Sequence, residues 1–93
     1  MKISILQIHT LLGEWEANET SLLNMAEKAM KDSPDVLLLP EMWNIGFFPR
    51  PVINYADKDG ERTRHLLSGL AGKYGVNIIG GSTARLETST GHI

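Results

Sequence analysis

Glu41 is the residue best placed to do chemistry. It follows four apolar residues, Val36-Leu37-Leu38-Leu39, and Pro40, and it precedes Met42-Trp43. A carboxylate in such surroundings is expected to be partly desolvated, the setting that suits it to general-base catalysis. On pattern alone a bland role, a cap on the next turn or an ion pair at the strand end, is slightly the better reading of the same position. Trp43 and Phe47, just beyond, read either as walls of a substrate pocket or as ordinary core packing. Gly80-Gly81-Ser82 has the composition of a phosphate nest. It lacks dinucleotide-fingerprint spacing and opens no helix, so a tight packing site or bulge is the better reading. His9, His65 and His92 show no metal-ligand spacing, and no metal or other cofactor is expected. Ser68 and Ser82 have no evident base partner, which argues against a serine nucleophile.

These residues need elements to position them. Ile3 to Ile8 is a short apolar run rich in β-branched residues and reads as a strand. Asn18 is read as a helix N-cap with Glu19 in the first turn, followed by a stripe of Leu22, Met25, Ala26, Ala29 and Met30. Ser33-Pro34 ends that helix, because proline has no amide to donate and restricts the residue before it. Val36–Leu39 has no polar alternation, the pattern of a strand covered on both faces in a parallel sheet. The segment from Met42 to Lys58 reads as loop. It holds Trp43, Phe47, Phe48 and Tyr55, four of the six aromatics, too many for a plain solvent-facing linker.

A second helix is predicted over Gly60–Tyr74, with a stripe of Leu66, Leu67, Leu70, Ala71 and Tyr74 and Gly75 at its C′ position. Val76–Ile79 is a third strand, which Thr83 to Glu87 would extend. Thr88-Ser89-Thr90-Gly91 reads as a turn, and His92-Ile93 as the start of a fourth strand. The order β-α-β-α-β is that of an α/β fold with a largely parallel sheet. Ligands of such sheets bind beyond the carboxyl ends of the strands. Here that means Gln7 to Thr10, Glu41, and Gly80-Gly81-Ser82.

Bulk properties narrow the function. A chain of 93 residues, 42% hydrophobic and 22% charged, is at most one modest globular domain. The net charge of −2 and the scattered lysines and arginines argue against a nucleic-acid partner. There is no cysteine, hence no disulfide framework and no thiolate metal site. The opening apolar run is too short for a signal sequence, and no stretch is long enough to span a bilayer. A cytoplasmic protein with no membrane partner is expected.

Five segments together resemble the nitrilase superfamily of carbon–nitrogen hydrolases. They are Lys2-Ile3-Ser4-Ile5-Leu6-Gln7, Gly13-Glu14-Trp15-Glu16-Ala17-Asn18, Leu37-Leu38-Leu39-Pro40-Glu41-Met42-Trp43, Trp43-Asn44-Ile45-Gly46-Phe47, and Tyr74 through Ser82. Their order and spacing cover essentially the whole chain, and the nearest similarity is to the amidase branch that includes omega-amidase-like enzymes. The resemblance implies a four-layer α-β-β-α sandwich, with residues 1–93 as a truncated N-terminal part of that domain. It implies a Glu-Lys-Cys trio in which Glu41 is the base, a small amide or nitrile substrate, and a homo-oligomer built from paired sandwiches.

The departures are substantial. The family's lysine and cysteine lie further along than Ile93, and neither Lys58 nor Lys73 falls where that lysine should. Phe47 stands where many relatives have tyrosine, and Glu14 where they often have aspartate. The chain by itself is therefore expected to be inactive. It is also expected to leave an apolar sheet face bare at Ile3, Ile5, Leu37 and Leu39, and so to self-associate. The competing reading is a non-catalytic α/β remnant or interaction module; a small nucleotide-binding domain fits less well.

Overall fold

The computed structural model describes residues 1–47 and 49–93; Phe48, one of the loop aromatics, lies outside the described residues. Three strands, β1 (Ile3–Ile5), β2 (Val36–Leu38) and β4 (Asn77–Ile79), form a parallel sheet in the order β1-β2-β4. Helix α1 (Trp15–Met30) joins β1 to β2, and α2 (Glu61–Tyr74) precedes β4. Between β2 and α2 lies the two-residue strand β3 (Asp57–Lys58). It pairs in parallel with β5 (Arg85–Leu86) in a separate small sheet. The β-α-β-α-β order and parallel pairing are as predicted. The small sheet was not foreseen, since two-residue strands leave no periodicity to read.

Sheet register explains which face is closed. Ile3, Val36 and Asn77 share one level, and Ile5, Leu38 and Ile79 another, on the same side of the pleat. The intervening level of Ser4, Leu37 and Ile78 points the other way. The main core lies on that second side, where Leu37 and Leu39 pack with Leu6, Leu22, Ala26, Trp43, Leu70 and Val76. On the first side Ile3, Ile5 and Ile79 remain 54%, 65% and 56% exposed. The bare apolar face expected from sequence is thus present with a different membership. Leu37 and Leu39 belong to the core, and Leu38 and Ile79 stand in their place.

The helices form where their stripes predict. Leu22 and Ala26 of α1 are buried, and Met25, Ala29 and Met30 pack against the same core. The chain leaves α1 through Ser33 at φ 50° just ahead of Pro34. Helix α2 ends at Gly75, whose φ of 61° makes it the left-handed C-terminal cap that glycine suits. One boundary moves. Helix α1 starts at Trp15 after Glu14, so Asn18 is inside the helix rather than its N-cap, and the first-turn acid is Glu16 rather than Glu19. At the end of the chain, Thr88 to Gly91 form the predicted turn. Beyond it His92 makes an isolated antiparallel bridge to Glu87 in place of a fourth strand.

Candidate active site

Strand β2 delivers Glu41 to the carboxyl end of the sheet. The ladder runs one step past the strand, with Leu39 N–H donating to the Ile79 carbonyl at 3.0 Å, and Pro40 then breaks it. Glu41 is exposed, whereas residues 42 to 46 are buried. The expected partial desolvation of Glu41 is therefore not found in these residues. The chain dives inward only after it, and the carboxylate stays on the rim.

The turn that follows is held from three directions. The first hold comes from the segment after β4. Met42 N–H donates to the Ser82 hydroxyl at 3.0 Å, and the Trp43 indole N–H donates to the Gly80 carbonyl at 3.1 Å. Gly81 has φ 64°, and a Cβ there would lie 2.1 Å from the Pro40 carbonyl oxygen. Only a glycine allows the two backbones to come so close. Gly80-Gly81-Ser82 is thus a packing site, the more favoured of its two readings.

The second hold comes from the loop after β1. Gly13 N–H donates to the Ile45 carbonyl at 2.8 Å, and Leu12 packs on Gly46. The sequence pointed to Gln7 to Thr10 here; Thr10, at the end of that stretch, lies beside Gly46, and Leu12 and Gly13, slightly further along, make the closer contacts.

The third hold is Asn18. Its side chain is fully buried. Its oxygen accepts from Leu11 N–H at 2.7 Å, and its amide nitrogen donates to the Leu11 carbonyl at 2.8 Å and the Asn44 carbonyl at 2.6 Å. A buried carboxamide that meets backbone groups on two loops costs little in desolvation and fixes both loops. The spacing of 18, 22 and 26 was the available sequence signal, since it places Asn18 on the buried stripe of α1 with Leu22 and Ala26.

The turn carries cost as well as support. Met42 has φ 48°, a left-handed conformation unusual for a bulky residue. Gly46 N–H closes the turn onto the Met42 carbonyl at 2.9 Å. The Asn44 side chain is buried, and neither of its polar atoms has a partner among the described residues. A buried unsatisfied group of this kind costs roughly 1–3 kcal/mol. Such features persist only where the surroundings over-determine the conformation, and they cluster at functional sites.

The other residues singled out by sequence fall as follows. Trp43 is fully buried in the main core, whereas Phe47 is 61% exposed. His9 and His65 are exposed and line separate clefts, of about 220 Å³ and 350 Å³. A third cleft, of about 570 Å³, is lined by Trp15, Arg62, Asp57 and Asp59 among others. None of these three has Glu41, Trp43 or Phe47 in its wall. In the third, the Glu19 carboxylate raises the Arg62 pKa by hydrogen bonding, and the guanidinium lies 4.3 Å from the centre of the Trp15 ring. Among the described residues no group of three His, Asp or Glu side chains comes together as a metal site, and no helix is long and apolar enough to cross a membrane.

The architecture is a parallel α/β sheet with a carboxylate on its carboxyl rim, beside a turn braced by the two flanking loops and by α1. The chain belongs to the carbon–nitrogen hydrolase family of the nitrilase superfamily, whose profile matches residues 2–92. It is 34% identical over 89 residues to a protein named hydrolase in agr operon from Staphylococcus aureus, covering 96% of this chain and 34% of that one. It is 37% identical over 87 residues to the 2-oxoglutaramate amidase of Bacillus subtilis, covering 94% and 33%. It is 26% identical over 99 residues to an omega-amidase of Saccharomyces cerevisiae, covering 100% and 34%. The chain thus spans about a third of the length of these relatives.

Proposed function

We propose that residues 1–93 supply the general base, Glu41, of a cytoplasmic carbon–nitrogen hydrolase that converts a small amide or nitrile to a carboxylic acid and ammonia. The observation that carries this reading is the convergence of two loops and α1 on the turn after Glu41, which leaves the carboxylate itself exposed on the rim. In this reading a cysteine and a lysine come from sequence outside these residues. Glu41 takes the thiol proton, and the thiolate adds to the substrate carbon. The lysine stabilises the charge that develops there. For an amide, the C–N bond breaks as the nitrogen takes the proton back from Glu41 and leaves as ammonia, giving a thioester. Glu41 then deprotonates a water that releases the acid. In this reading Trp43 acts from the core as a support for this turn, and Phe47, exposed at its end, is a wall of the substrate pocket that the rest of the protein completes.

The open face of Ile3, Ile5, Leu38 and Ile79 supports a second layer of sheet packed against it, as in the four-layer sandwich, and assembly of whole subunits into a homo-oligomer. The isolated 93-residue polypeptide is then inactive and self-associates through that face; sedimentation that shows a sharply melting monomer would count against this packing.

The function is tested by ammonia release from a panel of amides, nitriles and carbamoyl compounds, beginning with 2-oxoglutaramate. The full-length protein carrying residues 1–93 is expected to release ammonia from at least one of them. A full-length protein inactive toward the whole panel would leave a non-catalytic α/β module in its place.

A further inference from the structure

Asn18 is a fully buried polar side chain that joins a helix to two loops. It sits on the first turns of α1, a 16-residue helix anchored in the core by Leu22 and Ala26. Its carboxamide makes a two-point pairing with Leu11, donating to its carbonyl and accepting from its amide, and donates again to the carbonyl of Asn44. Asn44 is three residues beyond Glu41 and in the same turn. One rigid helix is therefore bonded through one side chain to the loops that follow β1 and β2.

The turn needs this external hold. The side chain of Asn44 makes no hydrogen bond of its own among the described residues, so only the backbone carbonyl ties that residue in place. Met42 at φ 48° is in a conformation that relaxes if its surroundings loosen. Ser82 fixes the start of the turn at Met42 N–H, Asn18 its middle at Asn44, and Gly13 its far side at Ile45. Of these restraints Asn18 is the side chain that ties the turn directly to a helix.

We propose that Asn18 is a positioning residue for Glu41: its carboxamide locks the 42–46 turn, and through it sets where the carboxylate stands. This rests on the reading of Glu41 as the base. The effect is on geometry and not on substrate binding, so it is read in kcat. A base displaced by about 1 Å loses on the order of 100-fold in rate.

The test uses the full-length protein with the best substrate of the ammonia-release panel. Asn18→Ala removes all three bonds. Asn18→Ser is neutral and polar, and its shorter side chain cannot make all three bonds, so it remains informative if Asn18→Ala does not fold. Leu70→Ala, a core truncation on α2, serves as a control for destabilisation alone. Assays are run well below each melting temperature. The Asn18 variants are expected to lose about 100-fold in kcat with KM moved by less than about threefold, while Leu70→Ala keeps kcat within about twofold. An Asn18→Ser protein with wild-type kcat beside an inactive Glu41→Gln protein overturns the positioning role alone. A Glu41→Gln protein with wild-type kcat overturns the base reading, and the positioning role with it. Equal losses of kcat in Asn18→Ser and Leu70→Ala show a purely structural asparagine and also overturn the proposal.

Discussion

Two corners of the molecule are built from the same parts and differ in how those parts are used. At the Glu41 corner a glycine with positive φ, a residue in the left-handed region and buried polar groups tie three loops together. At the Asp57 corner, Gly60 has φ 69° and Asp59 φ 53°. Asp57 is buried and accepts from the amides of Arg62 and Thr63 at 3.1 and 2.8 Å, capping the start of α2 from outside the helix. Asp59 accepts from both the amide and the hydroxyl of Thr88.

The difference lies in who bears the strain. Aspartate is among the few non-glycine residues that visit the left-handed region readily, and at Asp59 both carboxylate oxygens accept hydrogen bonds from Thr88, 29 residues along the chain. Met42 has no such compensation, and its neighbour Asn44 leaves a whole carboxamide unpaired among the described residues. The Asp57 corner is not free of cost, since the Thr63 hydroxyl is also buried without a partner among the described residues. Its carboxylates nevertheless hold the chain together, Asp57 at the start of α2 and Asp59 at Thr88, whereas the exposed Glu41 carboxylate takes part in neither of the ion pairs among the described residues. One corner uses its acids for stability, and the other is braced to present one.

A matched pair of glycine substitutions sharpens this contrast most strongly. Gly81→Ala drives a Cβ to 2.1 Å from the Pro40 oxygen, whereas Gly60→Ala meets only the flexible Arg85 side chain at 3.7 Å. Both carry the left-handed penalty of about 1–2 kcal/mol, and Gly81→Ala adds a steric cost of about 1–3 kcal/mol. Thermal unfolding is expected to rank them so. Ammonia release by the full-length protein is expected to fall about 100-fold only for Gly81→Ala, because only that change moves the Glu41 turn. Equal effects of the two would dissolve the distinction between the corners.

Next in size is Asp57→Ala. It removes the acceptor for two helix N-terminal amides and is expected to cost about 0.5–2 kcal/mol in denaturant titration with no change in kcat. A fall in kcat beyond the fraction unfolded would mean that the Asp57 corner also serves the reaction.

The smallest effect is a pH dependence. The two Thr88 hydrogen bonds hold the Asp59 carboxyl below its ordinary value of 3.8. A depressed folded-state pKa stabilises the fold above the unfolded value and loses that contribution as pH falls through the folded one. The protection factor of the Asp59 amide, which donates to the Leu86 carbonyl, is expected to be constant above about pH 5 and to fall below about pH 4, after correction for the intrinsic pH dependence of exchange. Thr88→Val should remove most of that step, and an unchanged step would assign it to another group.

Much of the frame was legible because its signals are local. Gly75 as the C′ residue of α2, Pro34 after α1 and the aliphatic run before Pro40 each report on their immediate neighbours, and the structure follows them. The bracing of Glu41 was less legible because it is made at a distance. Asn18 has the same side chain whether it caps a helix start or clamps a loop, and what decides is the approach of Leu11 and Asn44, 7 and 26 residues away. Ser82 meets Met42 across 40 residues. The bare sheet face was anticipated at Ile3 and Ile5 but misassigned at Leu37 and Leu39. In an all-apolar strand alternation gives no clue to which side faces the helices, and only the register resolves it.

The central claim is that Glu41 serves the reaction and not the fold. It is tested most directly by Glu41→Gln in the full-length protein, with melting temperature and ammonia release measured on the same sample. An unchanged melting temperature with kcat/KM lower by roughly 100- to 10,000-fold is predicted. Retained activity, or a loss that merely tracks a lowered melting temperature, would contradict it.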